Sequence, residues 1–193
     1  VEQAKAALRR RLLAARRALP DGHRRAAAAR VQAALVALIR RVRPPVVTGY
    51  VPVGTEPGGP ELPDVLAEAL GPGSRLLLPV LRDDLDLDWA PYAGPGSLVA
   101  AGRGMREPAT GRLGRAAITD AGLVVVPALA VDRHGVRLGR GGGSYDRALA
   151  RVGDAALTVA LLHDGELLDA IPARDHDRPV RAVITPAEGL RMR

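Results

Sequence analysis

The fold class this sequence predicts is α/β: a three-layer sandwich built on a mainly parallel sheet. Apolar runs of strand length recur at 46–51, 75–79, 123–127, 157–162 and 180–185. Segments with helical spacing separate several of them, which is the order that crossover connections between parallel strands require. Within Leu123-Val124-Val125-Val126-Pro127 the run shows no polar alternation, as expected of a strand covered on both faces.

In chain order, the first helix is expected from about Ala4 to Leu19, with Leu8, Leu12, Ala15 and Leu19 on its buried stripe and Pro20 ending it. Asp21 is placed to cap a second helix that reaches about Val42 and turns Ala27, Val31, Ala34, Leu35 and Leu38 inward. Pro44-Pro45 stop it before a strand at Val46 to Val51. A short helix from about Glu61 to Leu70 closes on Gly71-Pro72-Gly73, and a strand follows at Arg75 to Pro79. Alternation from Leu85 to Tyr92 predicts an exposed strand or hairpin, and the Gly-rich stretch from Gly94 to Thr119 reads as a long substrate-facing loop. After the strand at 123–127 come a helix at Tyr145 to Val152 and strands at Leu157 to Leu162 and Val180 to Thr185. With neither an internal repeat nor a linker, 193 residues read as one domain, 1–193.

Composition narrows the function. The chain has no cysteine, which excludes a disulfide framework, a thiolate nucleophile and a Cys-ligated zinc site. No apolar run approaches the roughly 20 residues of a membrane span. Charges at Glu2, Lys5, Arg9, Arg10, Arg11, Arg16 and Arg17 break the N-terminus and are unlike a signal peptide, so a cytoplasmic enzyme is expected. A net charge of +7 could mark a nucleic-acid binder, but aromatic residues make up 2% of the chain and phenylalanine is absent. Stacking platforms are therefore scarce, and attraction of small anionic substrates is the better use of the charge.

The richest segment is Arg137-Leu138-Gly139-Arg140-Gly141-Gly142-Gly143-Ser144-Tyr145-Asp146. Glycines expose backbone N–H groups that can surround an anion, flanking arginines add positive charge, and a following helix start adds its dipole. Neither the Lys-Ser/Thr pair of a Walker A loop nor the third glycine of a dinucleotide fingerprint is present, and a flexible surface turn is the plain alternative. Lys5 is the single lysine among 28 basic residues. It stands four positions from Arg9, so on a helix the two project from one face, toward a ligand or simply into solvent. Magnesium travelling with a nucleotide asks for one or two carboxylates, and Asp146 directly follows the glycines; a carboxylate balancing the helix dipole is its other role. His134 and His176 have no second His or Cys at metal-ligand spacing, and no Ser-His-Asp set is visible around Ser144.

The string from Val126 to Asp146, with Arg137-Leu138-Gly139-Arg140-Gly141-Gly142-Gly143-Ser144-Tyr145-Asp146 at its end, resembles the signature of the 5-formyltetrahydrofolate cyclo-ligase family. It departs from that pattern at Ala128, Val131 and Ser144, where the family has a glycine, an aromatic and a tyrosine. The resemblance extends over most of the chain, through Lys5 and Arg9, Gly49-Tyr50-Val51-Pro52 with Glu56, Arg106-Glu107-Pro108, and Ile171-Pro172 followed by His176-Asp177. Arg181 stands where relatives often carry an acid.

This resemblance implies the NagB/RpiA/CoA-transferase-like architecture and an ATP-dependent conversion of 5-formyltetrahydrofolate to 5,10-methenyltetrahydrofolate, releasing ADP and phosphate. It further implies that the formyl oxygen takes the γ-phosphoryl group to give an iminophosphate that N10 attacks. By the same resemblance Lys5, Arg9, Arg137, Leu138, Gly139, Arg140, Gly141, Gly142, Gly143, Ser144 and Tyr145 would contact ATP. Val51, Glu56 and the segment from Arg140 to Ser144 would face the folate, Glu56 through the pterin N–H groups. Arg140 and Lys5 would serve at the transferring phosphoryl group, and Asp146 and Asp177 would hold Mg2+. The expected partners are small-molecule substrates only, with no membrane or nucleic acid, in a monomer or weak homo-oligomer. Two other readings stay open: a noncatalytic relative acting as a nucleic-acid or protein-binding module, and a sugar-phosphate isomerase or CoA-transferase-like enzyme that works without ATP.

Overall fold

The computed structural model describes residues 1–172 and 178–193. Two long helices, α1 (Glu2–Ala18) and α2 (Asp21–Val42), lead into strand β1 (Val46–Thr48), helix α3 (Leu62–Ala69) and strands β2 (Arg75–Leu81) and β3 (Leu87–Pro91). A two-stranded ribbon, β4 (Leu98–Ala100) and β5 (Arg106–Pro108), precedes β6 (Leu123–Pro127), β7 (Ala130–Asp132), β8 (Arg137–Leu138) and α4 (Ser144–Leu149). Strands β9 (Leu157–Leu161), β10 (Leu167–Leu168), β11 (Ala182–Thr185) and β12 (Gly189–Met192) complete the chain.

Seven strands form one sheet in the order β12-β11-β9-β6-β1-β2-β3. The five inner strands run parallel and only β3 and β12, at the edges, run antiparallel. Alternate residues of the inner strands feed opposite layers, as the twofold repeat of a strand dictates. Val47, Leu123, Val125, Val159 and Ile184 meet Val31, Leu35, Leu38 and Ile39 of α2 and Leu62 and Leu66 of α3. Val46, Val124, Val126, Ala160 and Val183 meet Ala148 and Leu149 of α4, together with Ile118 and Trp89. The expected three-layer sandwich with a mainly parallel sheet is therefore the fold observed.

Beside it lies a three-stranded sheet, β10-β7-β8, whose Leu129, Ala130 and Leu138 pack on Leu12 of α1. From β1 the chain crosses to β2 on one side, whereas β6 pairs on the other side of β1 and leads on to β9. The connections leaving β1 and β6 thus part in opposite directions, opening a crevice at the carboxyl ends of those strands.

Several expectations are corrected by tertiary context. The buried residues of α1 are Lys5, Leu12 and Arg16, while Ala15 is exposed and Leu19 only half-buried. Pro20, not Asp21, occupies the cap position of α2, and Asp21 begins the helix with its carboxylate on Arg24. Strand β1 ends at Thr48, three residues short of Val51, where the chain turns into the crevice. The segment from Leu85 to Tyr92 does form a strand, in a hairpin with β2, but it is not exposed: β3 is buried along its first four residues. Its acids are satisfied there, because Asp88 accepts from the amides of Trp89 and Gly114, and Asp86 from Leu87, Arg115 and Arg151. The stretch from Gly94 to Thr119 holds the β4–β5 ribbon and three short 3-10 turns instead of an irregular loop.

Candidate functional site

A cavity of about 630 Å³ occupies the crevice, within the size range of small-molecule sites. Its walls come from α1, from the turn after β1, from the ends of β2 and β6, from the ribbon, and from the glycine-rich segment before α4. Every sequence-predicted site residue within the described part of the chain lines it: Lys5, Arg9, Val51, Glu56, Arg137, Leu138, Gly139, Arg140, Gly141, Gly142, Gly143, Ser144, Tyr145 and Asp146. Asp177 and His176 lie outside the described residues.

Helix α1 supplies cations from its inner face. Lys5 is 6% exposed although it is a lysine, a placement rare without a partner or ligand. One turn on, Arg9 donates through Nε to the Gly139 carbonyl at 3.0 Å and through Nη1 to Glu2 at 2.7 Å. The helix therefore grips the glycine loop directly. Deeper still, Arg16 is 1% exposed and forms a two-pronged pair with Glu166 at 2.6 and 2.8 Å, donating also to the Ala128 carbonyl at 2.6 Å. Glu166 accepts in addition from the His163 amide at 2.7 Å, so its carboxylate is fully used.

The glycine loop joins β8 to α4. Gly141 and Gly143 have φ of 108° and 71°, left-handed values that side chains resist. A Cβ at Gly139 would stand 2.7 Å from Arg137 Nη1, so the backbone there lies against the guanidinium. Arg137 donates to the Pro127 carbonyl at 3.1 Å and to Asp146 Oδ1 at 2.6 Å, which ties the end of β6 to the first turn of α4. Its guanidinium carbon also stands 5.7 Å from the centre of the Tyr145 ring. The Tyr145 hydroxyl is buried without a protein acceptor. Burial first, then the negative charge of Glu56, push its pKa up, against the smaller opposing effect of Arg137. Tyr145 is thus a neutral donor in the cavity wall.

Glu56 and Arg140 face each other across the mouth, Oε1 to Nε at 3.1 Å, the acid 11% exposed and the arginine 51%. The second Glu56 oxygen accepts from the Val53 amide at 2.8 Å, which fixes the carboxylate. On the far wall, Glu107 accepts from the Leu81 amide at 2.9 Å and anchors the ribbon, whose Arg103, Met105 and Arg106 line the same cavity. The ribbon lies within the stretch from Gly94 to Thr119 expected to face the substrate, and it does line the cavity, whereas Arg16 and Tyr50 had no expected site role. Arg16 carried a signal, since it lies eleven residues beyond Lys5, close to three helical turns, and so shares its face.

A magnesium ion that accompanies a nucleotide takes most of its ligands from phosphate and water, and the Asp146 carboxylate, in the cavity wall directly after the glycine loop, fits that demand. Among the described residues no group of three or more metal-ligating side chains exists. Arg181 donates to the carbonyls of Asp154 and Ala156, away from this cavity.

A cation-lined crevice at the point where parallel strands diverge is the hallmark of an α/β enzyme acting on a small substrate. The model of the 5-formyltetrahydrofolate cyclo-ligase family matches residues 1–186. A 5-formyltetrahydrofolate cyclo-ligase from Mycolicibacterium smegmatis is 44% identical over 193 residues, spanning 97% of this chain and 96% of the relative. One from Escherichia coli is 31% identical over 119 residues, 60% of this chain and 65% of the relative. The NMR structure of Aquifex aeolicus 5,10-methenyltetrahydrofolate synthetase superposes with a TM-score of 0.74 at 26% identity, covering 97% of this chain and 92% of the other. The Mycoplasma pneumoniae 5,10-methenyltetrahydrofolate synthetase, at 18% identity and a TM-score of 0.72, shares the fold over 93% of this chain and 96% of its own. The chain belongs to the 5-formyltetrahydrofolate cyclo-ligase family and is an enzyme of that kind. No helix among the described residues is long and apolar enough to cross a membrane.

Proposed function

We propose that this cavity binds ATP with magnesium beside 5-formyltetrahydrofolate and closes the folate to 5,10-methenyltetrahydrofolate, releasing ADP and phosphate. The observation that carries this reading is the meeting of Lys5 and Arg9 from one end of the chain with the Gly139-to-Gly143 loop from the other, on one cavity that also holds Glu56.

In this reading Lys5, Arg9, Arg137 and the loop amides hold the triphosphate, with Leu138, Ser144 and Tyr145 around it. Asp146 holds the magnesium ion, which neutralises phosphate charge when bound, and Asp177 is its proposed second carboxylate. Val51 and Glu56 hold the folate, the acid accepting from the pterin amino and ring N–H groups. The formyl oxygen attacks the γ-phosphorus as ADP leaves, and N10 then attacks the formyl carbon, its proton going to the phosphate that leaves. Aligning two anionic substrates and neutralising charge supplies most of what such a transfer needs, so a side-chain nucleophile is not required. Arg140 is well suited to the moving phosphoryl group, because a pterin on Glu56 competes for the carboxylate that Arg140 holds.

The test is absorbance at the methenyl product's band after mixing protein, magnesium, ATP and 5-formyltetrahydrofolate. Signal that requires ATP supports the reading. Signal without ATP, or none in any mixture, overturns it.

A further inference from the structure

The turn that carries Glu56 is gripped from behind by three side chains. The Tyr50 hydroxyl donates to the Pro57 carbonyl at 3.0 Å, the Gln32 amide donates to the Gly58 carbonyl at 2.7 Å, and His163 Nε2 stands 2.9 Å from the Thr55 carbonyl. A carbonyl oxygen can only accept, so Nε2 carries a proton and donates it. The other ring nitrogen, Nδ1, is buried and meets no hydrogen-bonding partner among the described residues. One bond, to Thr55, therefore accounts for a polar ring in the interior, where a leucine would fill the space without the cost of desolvation.

The Thr55 carbonyl belongs to the planar peptide unit that enters Glu56. At the other end of that unit the Glu56 amide donates to the Val53 carbonyl at 3.2 Å. Held at both ends, the unit fixes the direction in which the Glu56 side chain leaves the backbone. Tyr50 and Gln32 act on the next two carbonyls along the chain, so His163 is the side chain closest in bonding to the acid.

The imidazole has its own seat. The His163 amide donates to Glu166 Oε2 at 2.7 Å, its carbonyl accepts from the Glu166 amide at 3.3 Å, and Glu166 is paired with Arg16 of α1. A line of contacts thus runs from α1 through Glu166 and His163 to the acid at the mouth of the cavity. We propose that His163 is a positioning residue, its imidazole clamping the Thr55–Glu56 peptide so that the Glu56 carboxylate keeps its place in the cavity wall. This role rests on the functional reading above, which takes Glu56 as the acid that meets the folate.

The experiment compares His163→Leu, which fills the space without a donor, with His163→Gln, whose side-chain amide supplies an N–H at similar reach. Hydrogen–deuterium exchange is followed over residues 53–58 and, for contrast, over the glycine loop at 139–143. In His163→Leu the Val53 and Glu56 amides exchange about threefold to tenfold faster, the scale of one hydrogen bond, while the glycine loop exchanges as before. His163→Gln returns most of that difference. Calorimetric titration with 5-formyltetrahydrofolate shows affinity falling by a similar factor in His163→Leu, whereas affinity for ATP with magnesium stays within about twofold. In a Glu56→Ala background His163→Leu has no further effect on folate affinity, because a residue that acts through another is coupled to it.

Unchanged exchange over 53–58 in His163→Leu overturns the clamp. So does faster exchange in both segments, the mark of general loosening, or a folate effect that adds in full to that of Glu56→Ala. If Glu56→Ala itself leaves folate affinity untouched while exchange at the turn still responds to His163, the functional reading fails at Glu56 and the clamp on the turn stands.

Discussion

Lys5 carries the clearest single-residue expectation. The residue is buried in the wall of the cavity, where a guanidinium is larger than an ammonium and spreads its charge over a plane. Lys5→Ala is expected to raise the KM for ATP about 10- to 100-fold, the worth of one hydrogen bond to a charged group, and Lys5→Arg to fail to restore it. Initial rates against ATP concentration, with stability followed by urea unfolding, check both. Gly141 makes the complementary case from the backbone side. At φ 108° a Cβ is strained by about 1 kcal/mol or more, so Gly141→Ala should distort the loop and raise the KM for ATP severalfold. Because Gly141 is exposed, the same substitution should change global stability little, which distinguishes a loop effect from unfolding. The sequence made the loop and Lys5 legible because glycine clusters and a solitary lysine stand out locally. It did not make the Arg137–Asp146 pair or the Arg140–Glu56 pair legible, because those contacts form across turns whose paths no local pattern encodes.

At the level of elements, α1 is held to the sheet by a buried charge pair. Glu166→Ala would leave Arg16 with its charge uncompensated in the interior, and such losses cost about 3–5 kcal/mol. Chemical denaturation should show that drop, with activity falling as α1 and its Lys5 and Arg9 lose their seat. On the opposite side, Arg151 of the segment after α4 grips Asp86 in the β2–β3 turn at 2.9 and 2.6 Å. This hydrogen-bonded guanidinium, helped by the Leu87 amide and opposed by burial, lowers the Asp86 pKa to about 2, below the roughly 3.9 of an unfolded aspartate. A depressed folded pKa means that the contribution is complete above pH 4 and fades as pH falls toward 2. Asp86→Asn should therefore flatten the loss of stability across that window, as measured by urea midpoints at pH 2 to 5. The acids of this turn also explain why β3 is buried where its pattern predicts exposure. Alternating Asp and apolar residues normally mark an exposed face, but here each buried acid is met by an amide or an arginine supplied from elsewhere in the chain.

For the molecule as a whole, net charge of +7 and a cation-lined cavity attract both proposed substrates over distance. Raising ionic strength should lower kcat/KM for ATP and for the folate together, since a Debye length of about 10 Å at 0.1 M screens such steering. Stopped-flow or steady-state rates across a salt series check this, and a rate indifferent to salt would confine the charge to local contacts. Two kinds of information met in this protein. Residue order alone determined the α/β class, the inner strands and the identity of the glycine loop, because strand burial, helix periodicity and turn chemistry act over a few neighbouring positions. Only the tertiary structure decided that α1 turns Lys5 and Arg16 inward, that the β4–β5 ribbon walls the crevice, and which cations are already partnered. Those outcomes depend on long-range pairing, where a charge is buried only if a distant segment arrives to balance it.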